Sequence, residues 1–479
     1  MTLPSPDSAA SLNMAGNVCI ETGAAPVSNG PLDLLIADAT LIFADGSARA
    51  AQLGIRGAHI AYIGDARPAA TRTLSLPGRV VTPGFVNAHY HAGLNFVRGV
   101  APDCGFAPSY TPGLPQASWL DAEEALALSR LGALEALRAG CTTLADSFVH
   151  AEATVAGIAQ TGVRVFASQR LADVDFASVL AGERRFDRAR GERQLERADA
   201  FIARWAGQAN GRIQAHLTAH APDTCSVALL EDIATLARRH DLPISTHLAQ
   251  STDEVDWVRQ QHGRSPVQLL DEIGLLDGRL LAGHCIHVDD ADIARLGRSG
   301  AHVVHIPLGN AMSGRIAPTR RLLDAGAPLC LATDTMHGDM IEVMRWALAM
   351  GRLQAGAVGN DWQPSDVFAM ATRHGAAALG WGARLGTLEV GRIADLAIID
   401  FRQPHLTPSI DPLGNLVHNA TGSDVESVIV DGRLVIEQGR ALCVDEHQIR
   451  ADAQRAVDAV WRRCPSPLRP YPSVSTIRS

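Results

Sequence analysis

Residues 81–91 read VTPGFVNAHYH. The apolar run at 84–89 has the length and texture of a buried strand, and it closes on His89 with His91 two positions further on. At the two-residue period of a β-strand, both imidazoles project to one face. Such a pair can chelate a divalent ion, although on its own it is weak evidence, because most His-x-His pairs are surface or core histidines. Seven further strands follow the same texture, at 142–147, 163–168, 213–219, 243–248, 280–284, 301–306 and 328–333. Amphipathic stretches separate them. One is LDAEEALALSRLGALEALRAG (120–140), whose Arg138 and Gly140 are helix-stop signals. Eight strand–helix units in one run predict an α/β fold with a closed parallel barrel rather than an open sheet. Function in such a barrel sits at the C-terminal strand ends.

Those ends carry chemistry. The fifth strand ends ISTHLAQ, placing His247 at its tip, and the sixth ends LLAGHCIH, placing His284 there. The eighth ends LCLATDT with Asp334, and His220 lies just past the fourth in LTAHAPDTCS. Any one of these is an ordinary polar residue at a wet barrel mouth. His or Asp at five separate strand ends points to a metal.

Composition narrows the chemistry. All 42 positively charged residues are arginine, and no lysine is present. This excludes Schiff-base and pyridoxal-phosphate lysines, a P-loop, and a metal bridge built on carbamylated lysine. A net charge of −9 without a basic cluster argues against nucleic acid. The stretch Arg184–Arg197 is interleaved with acids and reads as a solvated helix or loop. Eight cysteines form no C-x-x-C pair, as in a cytoplasmic protein with reduced thiols. No apolar run is long enough to span a membrane. Both ends of the chain are β-rich, at 34–83 and 394–440, and could pair around the barrel as an insertion. The early strands suggest an antiparallel sheet.

Further motifs add a resemblance: GCTTLADS (140–147), AHAPDTCS (219–226), THLAQ (246–250), LAGHCIHVDD (281–290), HIPLGNAMSG (305–314), ATDT (332–335), ATRHGAAALG (371–380) and GTLEVGRIADLAIID (386–400). With VTPGFVNAHYH, they resemble the amidohydrolase superfamily, in the branch of triazine hydrolases, guanine and cytosine deaminases and adenosylhomocysteine deaminases. The resemblance implies a distorted TIM (β/α)8 barrel over 83–384 and a composite β-sandwich from 31–82 and 385–445. A disordered segment at 1–30 and a C-terminal helix and tail at 446–479 would flank them. It implies one divalent metal per chain, usually Zn with Fe as the alternative, held by His89, His91, His247 and Asp334. His284 would hold the attacking water and contact substrate, and His220 would contact substrate. The expected activity is hydrolysis of a C–N bond in a cyclic or heteroaromatic small molecule, by a cytoplasmic homodimer or larger homo-oligomer. The binuclear branch of the superfamily bridges its metals with a carbamylated lysine, which this chain cannot supply.

One position departs from the pattern. Deaminases of this branch end the fifth strand in His-x-x-Glu, and that Glu shuttles protons; here the position is Gln250. An amide cannot shuttle a proton near neutrality but can hydrogen-bond a substrate. Either Asp223 or Glu254 substitutes for it, or the leaving group needs little protonation, as in halide loss or cyclic amide opening, or activity is weak or lost. Gly309 also stands where Ser or Thr is common. The Pro- and Gly-rich loop at 98–119 is expected to form part of a substrate lid, with Phe106, Tyr110 and Trp119 able to stack on a flat ring. His305 is expected to be structural, His337 to stay out of the substrate site, and Asp146 to hydrogen-bond inside the barrel mouth. A non-catalytic scaffold and a two-His-one-carboxylate iron site are the competing readings; the intact ligand set and the third histidine at 247 argue against them.

Overall fold

The computed structural model describes residues 30–104, 107–335 and 337–465. The N-terminal segment expected at 1–30 lies outside these except for Gly30, as do Phe106 and the tail 466–479. The chain opens with β1 (Leu32–Ile42), β2 (Ala48–Arg56), β3 (His59–Gly64), β4 (Ala70–Ser75) and β5 (Arg79–Pro83). Next come β6 (Phe85–Tyr90), β7 (Cys141–Phe148), β8 (Arg164–Leu171), β9 (Ile213–Ala215), β10 (Leu217–Ala219), β11 (Ile244–Leu248), β12 (Leu280–His284), β13 (His302–His305) and β14 (Leu329–Leu331). Four strands end the series: β15 (Leu396–Asp400), β16 (Val425–Val430), β17 (Arg433–Glu437) and β18 (Arg440–Ala441).

The middle strands pair in the order β6-β7-β8-β10-β11-β12-β13-β14, all parallel. Strands such as β7, β11 and β12 are buried at every position, because one face lines the barrel and the other meets helices. The strand expected at 213–219 is interrupted at His216, so that β9 and β10 each pair with a different part of β8. A parallel bridge between Tyr90 and Asp334 joins the first and last strands. There the Asp334 amide donates to His89 O (3.1 Å) and the His91 amide to Asp334 O (3.2 Å). The contact that closes the ring thus sets three of the candidate residues side by side.

Helix Ala122–Arg138 follows β6, shorter at each end than the apolar pattern suggests. Asp121 caps it by accepting from the Glu124 amide (2.8 Å), and Glu124 returns the bond to the Asp121 amide (2.9 Å). The C-terminal helix Glu446–Arg462 packs on this one, and its Trp461 indole donates to Phe96 O (2.7 Å). Among the described residues no helix is long and apolar enough to cross a membrane.

The two chain ends share one nine-stranded sheet, ordered β18-β17-β16-β15-β5-β1-β2-β3 with β4 beside β1. They join where β15 runs antiparallel to β5, with Ile398 opposite Val81. The expectation of an antiparallel sheet needs correction, since β4 and β5 both run parallel to β1. A bulge between Ile36 and Ala39, with Asp38 at φ 63°, re-aims β1 so that its first half pairs with β4 and its second with β5.

Arg164, at the start of β8, fastens the barrel to this sheet. Its Nε and Nη2 donate to the two carboxylate oxygens of Asp395 (2.9 and 3.1 Å), and Nη2 also reaches Asp431 (3.2 Å). Arg164 and Asp395 side chains are 1% and 3% exposed. Breaking such a buried pair from one side leaves uncompensated charge. Arg164→Met is therefore expected to cost about 3–5 kcal/mol, read as a lowered midpoint in denaturant unfolding. Arg164→Lys should recover only part of that loss, because the planar fork is gone.

Candidate metal centre and its pocket

His89, His91 and His247 are buried, and one ring nitrogen of each lies within 4.8 Å of the others. Second contacts orient the rings. His91 Nδ1 donates to Ser147 O (2.9 Å), and His247 Nδ1 donates to His220 O (2.6 Å). Each of these two rings therefore presents an unprotonated Nε2 to the centre. The two Nε2 atoms face each other at 3.3 Å, and His89 Nε2 is buried without a hydrogen-bond partner. Lone pairs so placed repel unless a cation lies between them. Nitrogens bound tetrahedrally at 2.0–2.1 Å from one ion stand roughly 3.3 Å apart, so the residues present fit a divalent metal. Asp334 Oδ1 completes the cluster at 3.8 Å from His89 Nε2 and 3.6 Å from His91 Nε2.

Burial sets the charge states. It holds His89 and His247 well below their usual titration range and lowers His91 to about 3, so these rings are neutral and able to ligate. The same burial pushes the Asp334 carboxyl up to about 7 and His284 down to about 4. His284 Nδ1 donates to Asn310 Oδ1 (3.0 Å). Its Nε2 faces Asp334 Oδ2 at 4.0 Å as an acceptor, and donates there only once protonated. Four residues at or just past the strand ends hold left-handed backbone, namely Ala249 (φ 49°), His284 (φ 71°), Cys285 (φ 50°) and Asp334 (φ 62°). Non-glycine residues adopt this region at a cost that packing must offset, as happens at functional sites.

A pocket opens onto the cluster, lined by His91, His220, His247, Gln250 and Asp334 from the strand ends. His220 Nδ1 lies 2.8 Å from Thr224 Oγ1, and its ring stands nearly parallel to Tyr110 (centroids 6.1 Å, 19°). Tyr110 lines the pocket; Trp119, the other described aromatic weighed for stacking, does not and is 36% exposed. Neither carboxylate weighed as a stand-in for the absent Glu lines the pocket. Glu254 accepts from the Ala249 and Gln250 amides (both 2.8 Å), which caps the loop carrying Gln250. Asp223 is engaged by Tyr110 and Arg184. His305 is fully buried and His337 accepts from the Asp339 amide; neither lines the pocket. Asp146 accepts from the Ala92 amide (2.7 Å) inside the barrel mouth.

Two arginines escaped the sequence reading. Arg170, one residue from the end of β8, lines the pocket over the Phe176 ring (5.9 Å). No carboxylate among the described residues pairs with it, and burial lowers its pKa to about 10. A basic residue next to a barrel-strand terminus was the available signal. Arg184, assigned to a solvated stretch, instead has a side chain only 1% exposed and tied to Asp223, because its loop folds over the barrel mouth.

Neutral imidazoles converging with a carboxylate at the C-terminal mouth of a parallel barrel define a metal-dependent hydrolase. A model of the amidohydrolase family matches residues 80–435. The chain is 34% identical over 440 residues to a 5-methylthioadenosine/S-adenosylhomocysteine deaminase of Syntrophobacter fumaroxidans, covering 87% of this chain and 96% of that protein. It is 31% identical over 441 residues to a 5′-deoxyadenosine deaminase of Methanosarcina mazei, covering 90% and 99%. The solved structure of an adenosine deaminase from Xanthomonas campestris with bound zinc superposes with a TM-score of 0.77 at 25% identity, covering 90% and 99%. The chain belongs to the amidohydrolase family and is a metal-dependent hydrolase of carbon–nitrogen bonds other than peptide bonds.

Proposed function

We propose that the chain is a zinc-dependent aminohydrolase that removes the exocyclic amine of a 5′-modified adenosine. The observation that carries this reading is the convergence of three neutral imidazoles with Asp334 beneath a pocket walled by the planar rings of Tyr110 and His220. The names of the relatives, and the zinc in the adenosine deaminase, support the choice of substrate and metal.

His89, His91, His247 and Asp334 would hold the ion. When bound, it supplies a Lewis acid and lowers the pKa of water near neutrality. Asp334, at the edge of the cluster, takes the proton of the attacking water. His284 orients that water through Nε2, its ring fixed by Asn310. His220 and Gln250 contact the heterocycle, and Arg170 meets an acceptor or anionic group on the substrate's remaining part. Asp334 then passes the proton it took to the departing amine, since Gln250 cannot carry one.

Gln250 also favours a second reading, in which the leaving group departs with little protonation, as a halide or a stabilised anion does. Zinc-loaded protein should release ammonia from 5′-deoxyadenosine and methylthioadenosine. No ammonia from either, with chloride released from a chlorotriazine, would establish the second reading instead. Gln250→Glu places a carboxylate where a neutral amide meets the ring. It is expected to raise KM about tenfold, the scale of one hydrogen bond, while kcat stays within a few-fold. A large rise in kcat in steady-state assays would mean that proton delivery limits the natural enzyme.

A further inference from the structure

Residues 107–112 contribute Tyr110 to the pocket, yet their other hydrogen bonds close within the same loop. Thr111 donates to Ala107 O (2.9 Å), and Gln116 donates to Pro108 O (2.6 Å) and Leu114 O (3.1 Å). Among the described residues, the Tyr110 hydroxyl alone carries a hydrogen bond from this segment to the barrel, donating to Asp223 Oδ1 (3.1 Å). Asp223 Oδ2 in turn accepts from Arg184 Nε (3.2 Å) and Nη2 (2.9 Å). Asp223 is fully buried and the Arg184 side chain is 1% exposed. Arg184 Nη2 also binds Asp253, whose side chain is 68% exposed. Asp253 sits in the first turn of helix Thr252–His262, beside the Glu254 that caps the Gln250 loop.

One guanidinium thereby ties together four loops at the barrel mouth, those following β6, β8, β10 and β11. A buried carboxylate and guanidinium hold fixed geometry only because each satisfies the other, and the phenol takes the remaining carboxylate oxygen. The arrangement is asymmetric, since the Asp223 arm is dry and the Asp253 arm meets solvent. Geometry is therefore imposed on Tyr110 from the dry side, while Asp253 steadies the far end of the guanidinium.

We propose that Asp223 and Arg184 are positioning residues that latch Tyr110 against His220 as a wall of the pocket, and so set substrate affinity rather than the chemical step. The kinetic half of the test rests on the deaminase reading; the exchange half does not. With zinc-loaded full-length enzyme and 5′-deoxyadenosine, Tyr110→Phe and Arg184→Lys should each raise KM about tenfold or more, the scale of a hydrogen bond to a charged group, with a smaller effect on kcat. The double variant should raise KM no further than the worse single variant, because both changes open the same latch. Hydrogen–deuterium exchange should rise across peptides spanning 107–120 in both single variants and stay unchanged across β11 and β12. KM effects that multiply, or a fall in kcat at unchanged KM, would overturn the proposal. Should 5′-deoxyadenosine prove not to be turned over, exchange decides alone: unchanged protection of 107–120 in both variants refutes the latch.

Discussion

Asp334→Asn lowers turnover by about 10²–10⁴, the range lost with a positioned general base, and leaves the chain folded. The substitution is nearly isosteric, and asparagine tolerates the left-handed backbone that Asp334 holds at φ 62°. The Asp334 amide and carbonyl that close the barrel against His89 and His91 are untouched. What is lost is the charge and the proton acceptor. Folding itself should not suffer. Burial raises the Asp334 pKa to about 7 in the folded metal-free protein. A carboxyl whose folded pKa exceeds its unfolded value costs stability as pH rises from the unfolded value through the folded one. At pH 8 the metal-free variant should thus melt at or above the wild-type temperature while its kcat at saturating zinc collapses. Wild-type turnover in Asp334→Asn would refute the role assigned to this residue; a collapsed fold would instead mean that the carboxylate is structural.

Much of this site was readable before any coordinates, for a physical reason. Barrel strands alternate their side chains and expose their C-terminal ends, so a polar residue closing an apolar run has few places to go. His89, His91, His247, His284 and Asp334 all announce themselves in this way. The pairing of the chain ends was readable because both are β-rich around a complete barrel. Arg164, Arg170 and Arg184 were not. An arginine in a strand or loop has no periodic signature, and the partners of Arg164 and Arg184 lie 231 and 39 residues away. The same limit explains the parallel β4 and β5. Strand direction depends on where a bulge turns β1, and the residues Ala37 and Asp38 do not mark such a bend in the sequence. Asp223 shows the cost of reading a residue without its neighbours: as an isolated carboxylate it could replace a proton shuttle, but beside Tyr110 and Arg184 its oxygens are occupied.

Removal of the metal should abolish activity and lower the melting temperature, with zinc restoring both. The Nε2 atoms of His91 and His247 stand 3.3 Å apart, and their lone pairs repel unless a cation lies between them. A ligand that binds only the folded state stabilises it by RT ln(1 + [L]/Kd), about 4 kcal/mol at a thousandfold excess over Kd. For a chain of this length that corresponds to a shift of several degrees. The pH dependence carries a sharper signature. Burial lowers His91 to about 3 and holds His89 and His247 well below the usual imidazole range, so protons do not compete for these rings near neutral pH. Asp334 does compete, because its metal-free carboxyl titrates at about 7. Below pH 7 the metal must displace that proton, and zinc affinity should fall about tenfold per pH unit; above pH 8 it should level off. In Asp334→Asn the slope between pH 5 and 7 should vanish along with most of the affinity. Calorimetric titration of zinc at three pH values decides the matter: a slope near two per unit would mean that an imidazole ligand titrates in the same range, and the ordering of charge states in this pocket would then be wrong.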